Sequence, residues 1–398
     1  MNGRRRRQLF ALLASALLLL AVGVAANAAE SQRGEVHLAM VSPLTGPLSF
    51  VGVDNRAGVE AAIREINARG GVRGRRIRLQ IFDDNSQPSQ GVIHMQRIAA
   101  DDKFVGVVGS GFSSVGLAVA STVEREKIPY ISMASSAAQV TPAKPYYYMT
   151  TATSRLFAYS MAIHLRKIGI RRIALMTDNG GFGREGERNV KELARRFGFQ
   201  IVEEITFPLT GSTSFTAELN RVKNSNAQAL WLWNATSLAV TIAKEARSLR
   251  LSQRLVLTGG NASPQYLGPA CPETNGAFIN TYLGPVAQAL PKANPSRAVA
   301  LRVNRLIRKQ GSTFNYDGYT AVQMFRTAML KGGFNRDAIN RALESRMRGF
   351  VGPGGRYNYS RVNHSGLGVN SMVVSQIRNC KMVPVKGQKV LQAPRKRK

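Results

Sequence analysis

Phe104-Val-Gly-Val-Val-Gly-Ser-Gly-Phe-Ser-Ser114 is the stretch on which the fold turns. An apolar run of strand length passes straight into glycines and serines, and a helical pattern follows. This is the strand-to-helix unit of an α/β sheet. Its loop offers exposed N–H groups at a helix N-terminus, where an anion can be held. Gly109 and Gly111 give G-x-G, but Ser114 stands where a dinucleotide fingerprint has its third glycine, so no NAD site is read here. Taken alone, the run also reads as an ordinary helix cap.

The same unit recurs on both sides. Upstream, His37 to Val41 reads as a strand, Ser42 to Gly52 as a loop, and Arg56 to Asn67 as a helix carrying Val59, Ala62, Ile63 and Ile66 at helical spacing. Gly70-Gly71 ends that helix, and Ile77 to Phe82 follows as a strand before the polar turn at Asp83, Asp84 and Asn85. Downstream, Ile128 to Met133 is a strand that runs into a second serine-rich edge, Ser132-Met-Ala-Ser-Ser-Ala137. Ligands bind beyond the carboxyl ends of strands in open α/β sheets, so two such edges on neighbouring strands line one crevice. Ser113, Ser114, Ser135 and Ser136 are its candidate donors.

After Thr153 the alternation restarts, with strands at Arg172 to Met176, Phe199 to Ile205, Ala229 to Trp233 and Leu255 to Thr258. A strand at Gly276 to Tyr282 precedes helices at Ser296 to Gln310, Tyr319 to Lys331 and Arg336 to Met347. A last strand lies in Met372 to Ile377. The late helices are expected to return to the first sheet and the final strands to complete the second.

Composition narrows the function. Arg4 to Arg7, the apolar Leu9 to Ala26 and Ala26-Asn27-Ala28 form a secretory signal, residues 1–28, which places the mature chain outside the cytoplasm. The 398-residue chain exceeds what one core usually supports. A formal charge of +32 suggests nucleic acid, yet the basic residues are spread along the chain and only Arg395 to Lys398 cluster, so a solvated basic surface is read and no nucleic-acid partner. Four histidines and two cysteines lack metal-ligand spacing, and no metal or cofactor is expected. Whether Cys271 and Cys380 pair stays open at this point. With no G-x-S-x-G elbow and no H-E-x-x-H helix, and with Asp83-Asp84 read as a turn or cap, no catalytic set assembles.

Ser42-Pro-Leu-Thr-Gly-Pro47, Glu65-Ile-Asn-Ala-Arg-Gly-Gly-Val-Arg-Gly74, Asp83-Asp84, Val108-Gly109 with Ser113-Ser114, Ile128-Pro129 to Ser136, Phe182-Gly183, Tyr316-Asp317 and Gly349 to Gly355 occur in that order. Together they resemble the type I periplasmic binding proteins of the branched-chain amino acid class. The resemblance implies two Rossmann-like lobes joined by three hinge crossings: residues 34–152 plus 284–350 form lobe 1, residues 153–283 plus 351–386 form lobe 2, and a basic tail spans 387–398. It implies a periplasmic monomer that binds an amino acid or related small carboxylate or amide and docks on an ABC permease, or alternatively a sensing receptor of the same fold. By motif position, Ser113, Ala134 and Ser136 would contact the ligand, with Ser114 and Ser135 beside them. Phe182, Asn234 and Gly259 would close on it. Phe182 stands where the family commonly has tyrosine, and Val51 where it often has a pocket aromatic. Amino-acid binders of the family place an acid where this chain reads Thr258-Gly259-Gly260-Asn261. A buried ammonium needs a partner, so the ligand shifts towards a carboxylate or amide unless Asp317 substitutes.

Overall fold

The computed structural model describes residues 34–392; the expected signal peptide and the end of the basic tail lie outside the described residues. The strands β1 (Glu35–Ser42), β2 (Arg76–Asp83), β3 (Phe104–Val108), β4 (Tyr130–Ser132) and β5 (Tyr147–Met149) form one parallel sheet in the order β2-β1-β3-β4-β5. A second sheet holds β6 (Arg172–Asp178), β7 (Gln200–Phe207), β8 (Ala229–Trp233), β9 (Arg254–Leu257) and β10 (Phe278–Tyr282). After a small hairpin of β11 (Phe350–Gly352) and β12 (Gly355–Tyr357), the strands β13 (Met372–Arg378) and β14 (Lys381–Pro384) add to that sheet antiparallel, giving β14-β13-β10-β9-β8-β6-β7.

Strand β8 shows why the sequence folds this way. All five of its residues, Ala-Leu-Trp-Leu-Trp, are buried, as an interior strand covered on both faces requires. Alternation sends Trp231 and Trp233 into one hydrophobic cluster and Leu230 and Leu232 into another.

The first helix starts earlier than its apolar spacing indicates, spanning Ser49–Ala68. Its added turns are held from far along the chain. Asn55 Nδ2 donates to the Phe314 carbonyl at 2.9 Å, and Asn315 Nδ2 donates to the Asp54 carbonyl at 2.7 Å. The partner helix is Thr313–Gly332. A Cβ at Gly58 would lie 1.9 Å from the Asn315 carbonyl oxygen, and one at Gly318 would lie 2.2 Å from that of Asn55. The two glycines thus let the helices touch backbone to backbone. Phe325 of the same helix fills the space over Gly106 of β3, so the late helices do return to the first sheet.

The chain crosses between the sheets after β5, after β10 and at the β11–β12 hairpin. Tyrosines tie these crossings together. Tyr357 and Tyr359 donate their hydroxyls to the carbonyls of Thr150 and Met149, each at 2.6 Å, and Tyr282 donates to the Thr313 carbonyl. At the second sheet's edge Cys271 and Cys380 form a disulfide with a Cα separation of 5.7 Å. Among the described residues no helix is long and apolar enough to cross a membrane.

Candidate functional site

A cavity of about 40 Å3 lies between the carboxyl ends of the two sheets. That is room for a few waters, and residues of the two lobes touch beside it, Ser114 Oγ with Gly181 N at 3.0 Å. The first sheet contributes Leu48 and Val51 after β1, Phe112 and Ser113 after β3, and Met133 and Ser135 after β4. The second contributes Asp178 and Phe182 after β6, Leu209 after β7, Thr236 after β8 and Gly260 after β9. Phe314, at the start of its helix, closes the apolar wall.

On the first lobe the turn after β3 is fixed from behind. Asp84 is fully buried and accepts from Ser110 Oγ at 2.8 Å and from Ser86 N at 3.0 Å. Burial pushes its carboxyl up to about 7, against those two bonds. Ser110 Oγ in turn accepts from Phe112 N at 3.1 Å. A side chain at Gly109 would collide with the Tyr130 ring, and one at Gly111 with Asn55 and Val51. With the turn so held, the helix Ser113–Arg125 begins at the cavity without a side-chain cap. The Ser113 hydroxyl is taken by no described residue, and the first-turn N–H groups lie beside it. Ser135 also lines the cavity, in weak contact with Thr151 Oγ1 at 3.4 Å.

Ala134 and Ser136 are placed differently. Ala134 is buried behind the edge and its carbonyl accepts from Gln139 Nε2 at 3.2 Å. Ser136 turns its hydroxyl to Glu185 of the other lobe. Ser114 also reaches across, its Oγ accepting from Gly181 N at 3.0 Å.

On the second lobe Asp178 ends β6, buried at the cavity wall. It accepts from Gly180 N at 2.8 Å and from Asn234 Nδ2 at 3.0 Å. Burial raises its carboxyl to about 6. Asn234 is spent on this bond and on Thr236 N at 2.9 Å, so its neighbours Ala235 and Thr236 face the cavity instead. Gly259 is covered by Phe157: a Cβ there would lie 2.3 Å from the ring. The next residue, Gly260, is the one of this stretch that lines the cavity. Phe182 lines the cavity with its ring 5.4 Å from that of Trp233.

Asp317 lies away from the cavity, fully buried where the crossings meet. Burial drives its carboxyl well above the usual range, opposed by hydrogen bonds with Tyr282 and Thr151. The sequence reading did not single out Asp178, Thr236, Phe112 or Phe314. Asp178 carried a usable signal, since it ends a strand just before Asn-Gly-Gly. Among the described residues no group of three or more histidine, cysteine or acidic side chains could hold a metal ion.

Two α/β lobes crossed three times, with a cleft at their strand ends, define a two-lobed ligand-binding protein. The family model described as periplasmic binding protein matches residues 35–381, and the chain belongs to that family. The chain is 22% identical over 310 residues to the Leu/Ile/Val-binding protein BraC3 of Rhizobium johnstonii, covering 76% of this chain and 81% of the relative. An extracellular ligand-binding receptor from Rhodopseudomonas palustris HaA2 superposes with a TM-score of 0.82 at 18% identity, covering 88% of this chain and all of that one. A solute-binding protein of an ABC transporter from R. palustris, solved with benzoate, gives 0.79 at 18% identity over 88% and 96% of the two chains. LivJ of Streptococcus pneumoniae, solved with isoleucine, gives 0.77 at 20% identity over 89% and 100%.

Proposed function

We propose that this chain captures a small carboxylate with an apolar body outside the cytoplasmic membrane and delivers it, as a monomer, to an ABC permease. One observation carries the ligand class: Ser113 keeps an untaken hydroxyl at a helix N-terminus inside a wall of Phe112, Phe182, Phe314 and Met133. Helix N-terminal N–H groups favour an anion there. An amino acid also brings an ammonium. Thr258-Gly259-Gly260-Asn261 offers no acid, and Asp178, the acid in the cavity wall, already accepts from Gly180 and Asn234. A carboxylate without an amino group suits this lining better. The benzoate and isoleucine complexes of the two structural neighbours support the breadth of choice on one fold.

A thermal-shift screen of refolded, ligand-stripped protein against aromatic acids, branched aliphatic acids, amides and branched amino acids tests the reading, because a ligand stabilises by mass action. Acids should raise the melting temperature most. Shifts from free amino acids alone would refute the ligand class, and no shift from any class would refute the cleft assignment.

A further inference from the structure

Glu185 sits in the helix Gly181–Phe197 of the second lobe with 5% of its surface exposed. Its carboxylate leaves its own lobe. Ser136 donates its hydroxyl to Oε2, Ala137 N donates to Oε1 at 2.7 Å, and Ala138 N donates to Oε2 at 3.5 Å. All three donors belong to the loop after β4, on the first lobe. Among the described residues no cation is paired with Glu185, so these donors alone replace the water it gives up. A buried carboxylate is costly without such replacement. The contact exists only while the lobes are together, and it can therefore favour only the closed form.

We propose that Glu185 is a positioning residue that latches the two lobes shut, and that it withdraws Ser136 from the ligand. The proposal rests on the cleft being the ligand site. The lining agrees: Ser113 and Ser135 border the cavity, whereas Ser136 does not. When the lobes part, both Glu185 and Ser136 return to water without leaving a buried group unpaired. The latch thus sets the closed population, and apparent affinity scales with that population.

The test uses the mature chain as wild type, Glu185→Ala, Glu185→Gln, Ser136→Ala and the Ser136→Ala/Glu185→Ala double variant. Amide exchange at Ala137 and Ala138 and the small-angle scattering radius are read without ligand, and benzoate is titrated as the probe. Glu185→Ala should speed exchange at both amides and weaken benzoate roughly ten- to hundredfold, the loss expected for charge-assisted bonds, with a larger radius. Glu185→Gln, of the same shape with one acceptor oxygen, should fall between, and it keeps the test alive if the alanine variant does not fold. The double variant should be no weaker than Glu185→Ala alone, since one interaction is removed twice. Unchanged exchange and radius in Glu185→Ala would overturn the latch. So would tighter benzoate binding by that variant, or a Ser136→Ala loss that adds in full to that of Glu185→Ala. A wild type that binds no carboxylate would sink the ligand reading alone, because exchange and scattering still decide the latch.

Discussion

The two lobes pin their cleft edges with the same device. In the first, Asp84 takes the N–H two residues on, from Ser86, and the side chain of Ser110 from the turn after β3. In the second, Asp178 takes the N–H of Gly180, again two residues on, and the side chain of Asn234. The difference is where the acid stands. Asp84 sits behind the edge it supports, which leaves Ser113 free for a ligand, while Asp178 is itself part of the cavity wall. The first lobe thus presents the untaken Ser113 hydroxyl, and the second an acid that already accepts two bonds. On the proposed function, recognition of a polar head would fall to the first lobe, and shape and closure to the second.

The largest expected effect tests the device in both lobes at once. Both acids have a folded pKa above the usual 3.8, about 7 for Asp84 and about 6 for Asp178. Their stability contribution is therefore full below about pH 3.8 and is lost as pH rises through about 6 and 7, with a slope of at most about 1.4 kcal/mol per pH unit for each group. Denaturant titrations between pH 4 and 8 should show Asp178→Asn and Asp84→Asn each flattening part of that fall. A variant slope identical to wild type would show that the acid is not held as described. Next, Asn234→Ala should lower unfolding free energy by about 2 kcal/mol, since it strips a buried acid of a donor. The counterpart Ser110→Ala should cost a similar amount.

Ser113→Ala separates the lobes' roles. It should weaken binding of an acid about tenfold, or about 1.4 kcal/mol, while the ligand-free melting temperature stays within a degree or two. A large stability loss with unchanged affinity would make Ser113 a structural residue. Smallest is Ser135→Ala, expected to change affinity by about two- to threefold, because its hydroxyl already has a weak partner in Thr151.

Much of this was readable in the chain. The alternation of apolar runs and amphipathic stretches marked both sheets, and the serine-rich edges at Ser113 and Ser135 pointed to the cavity. What sequence could not show depended on contacts between distant segments. The early start of the helix Ser49–Ala68 rests on Phe314 and Asn315, and the disulfide joins cysteines 109 residues apart. Asp178 stands at a strand end before Asn-Gly-Gly, but only its burial at the cavity wall separates it from the other acidic residues of the chain. Glu185 lies within an ordinary helical pattern, and only the docking of the lobes gives it a partner. Asp317, the substitute acid considered from sequence, is held by the crossings and not presented to the ligand.

Calorimetric titration with a matched pair, an aromatic or branched carboxylate and the amino acid of the same body, tests the central claim most directly. The carboxylate should bind at least about tenfold more tightly, in keeping with the cost of burying an ammonium without a partner. An amino acid that binds more tightly than its matched carboxylate would contradict the account.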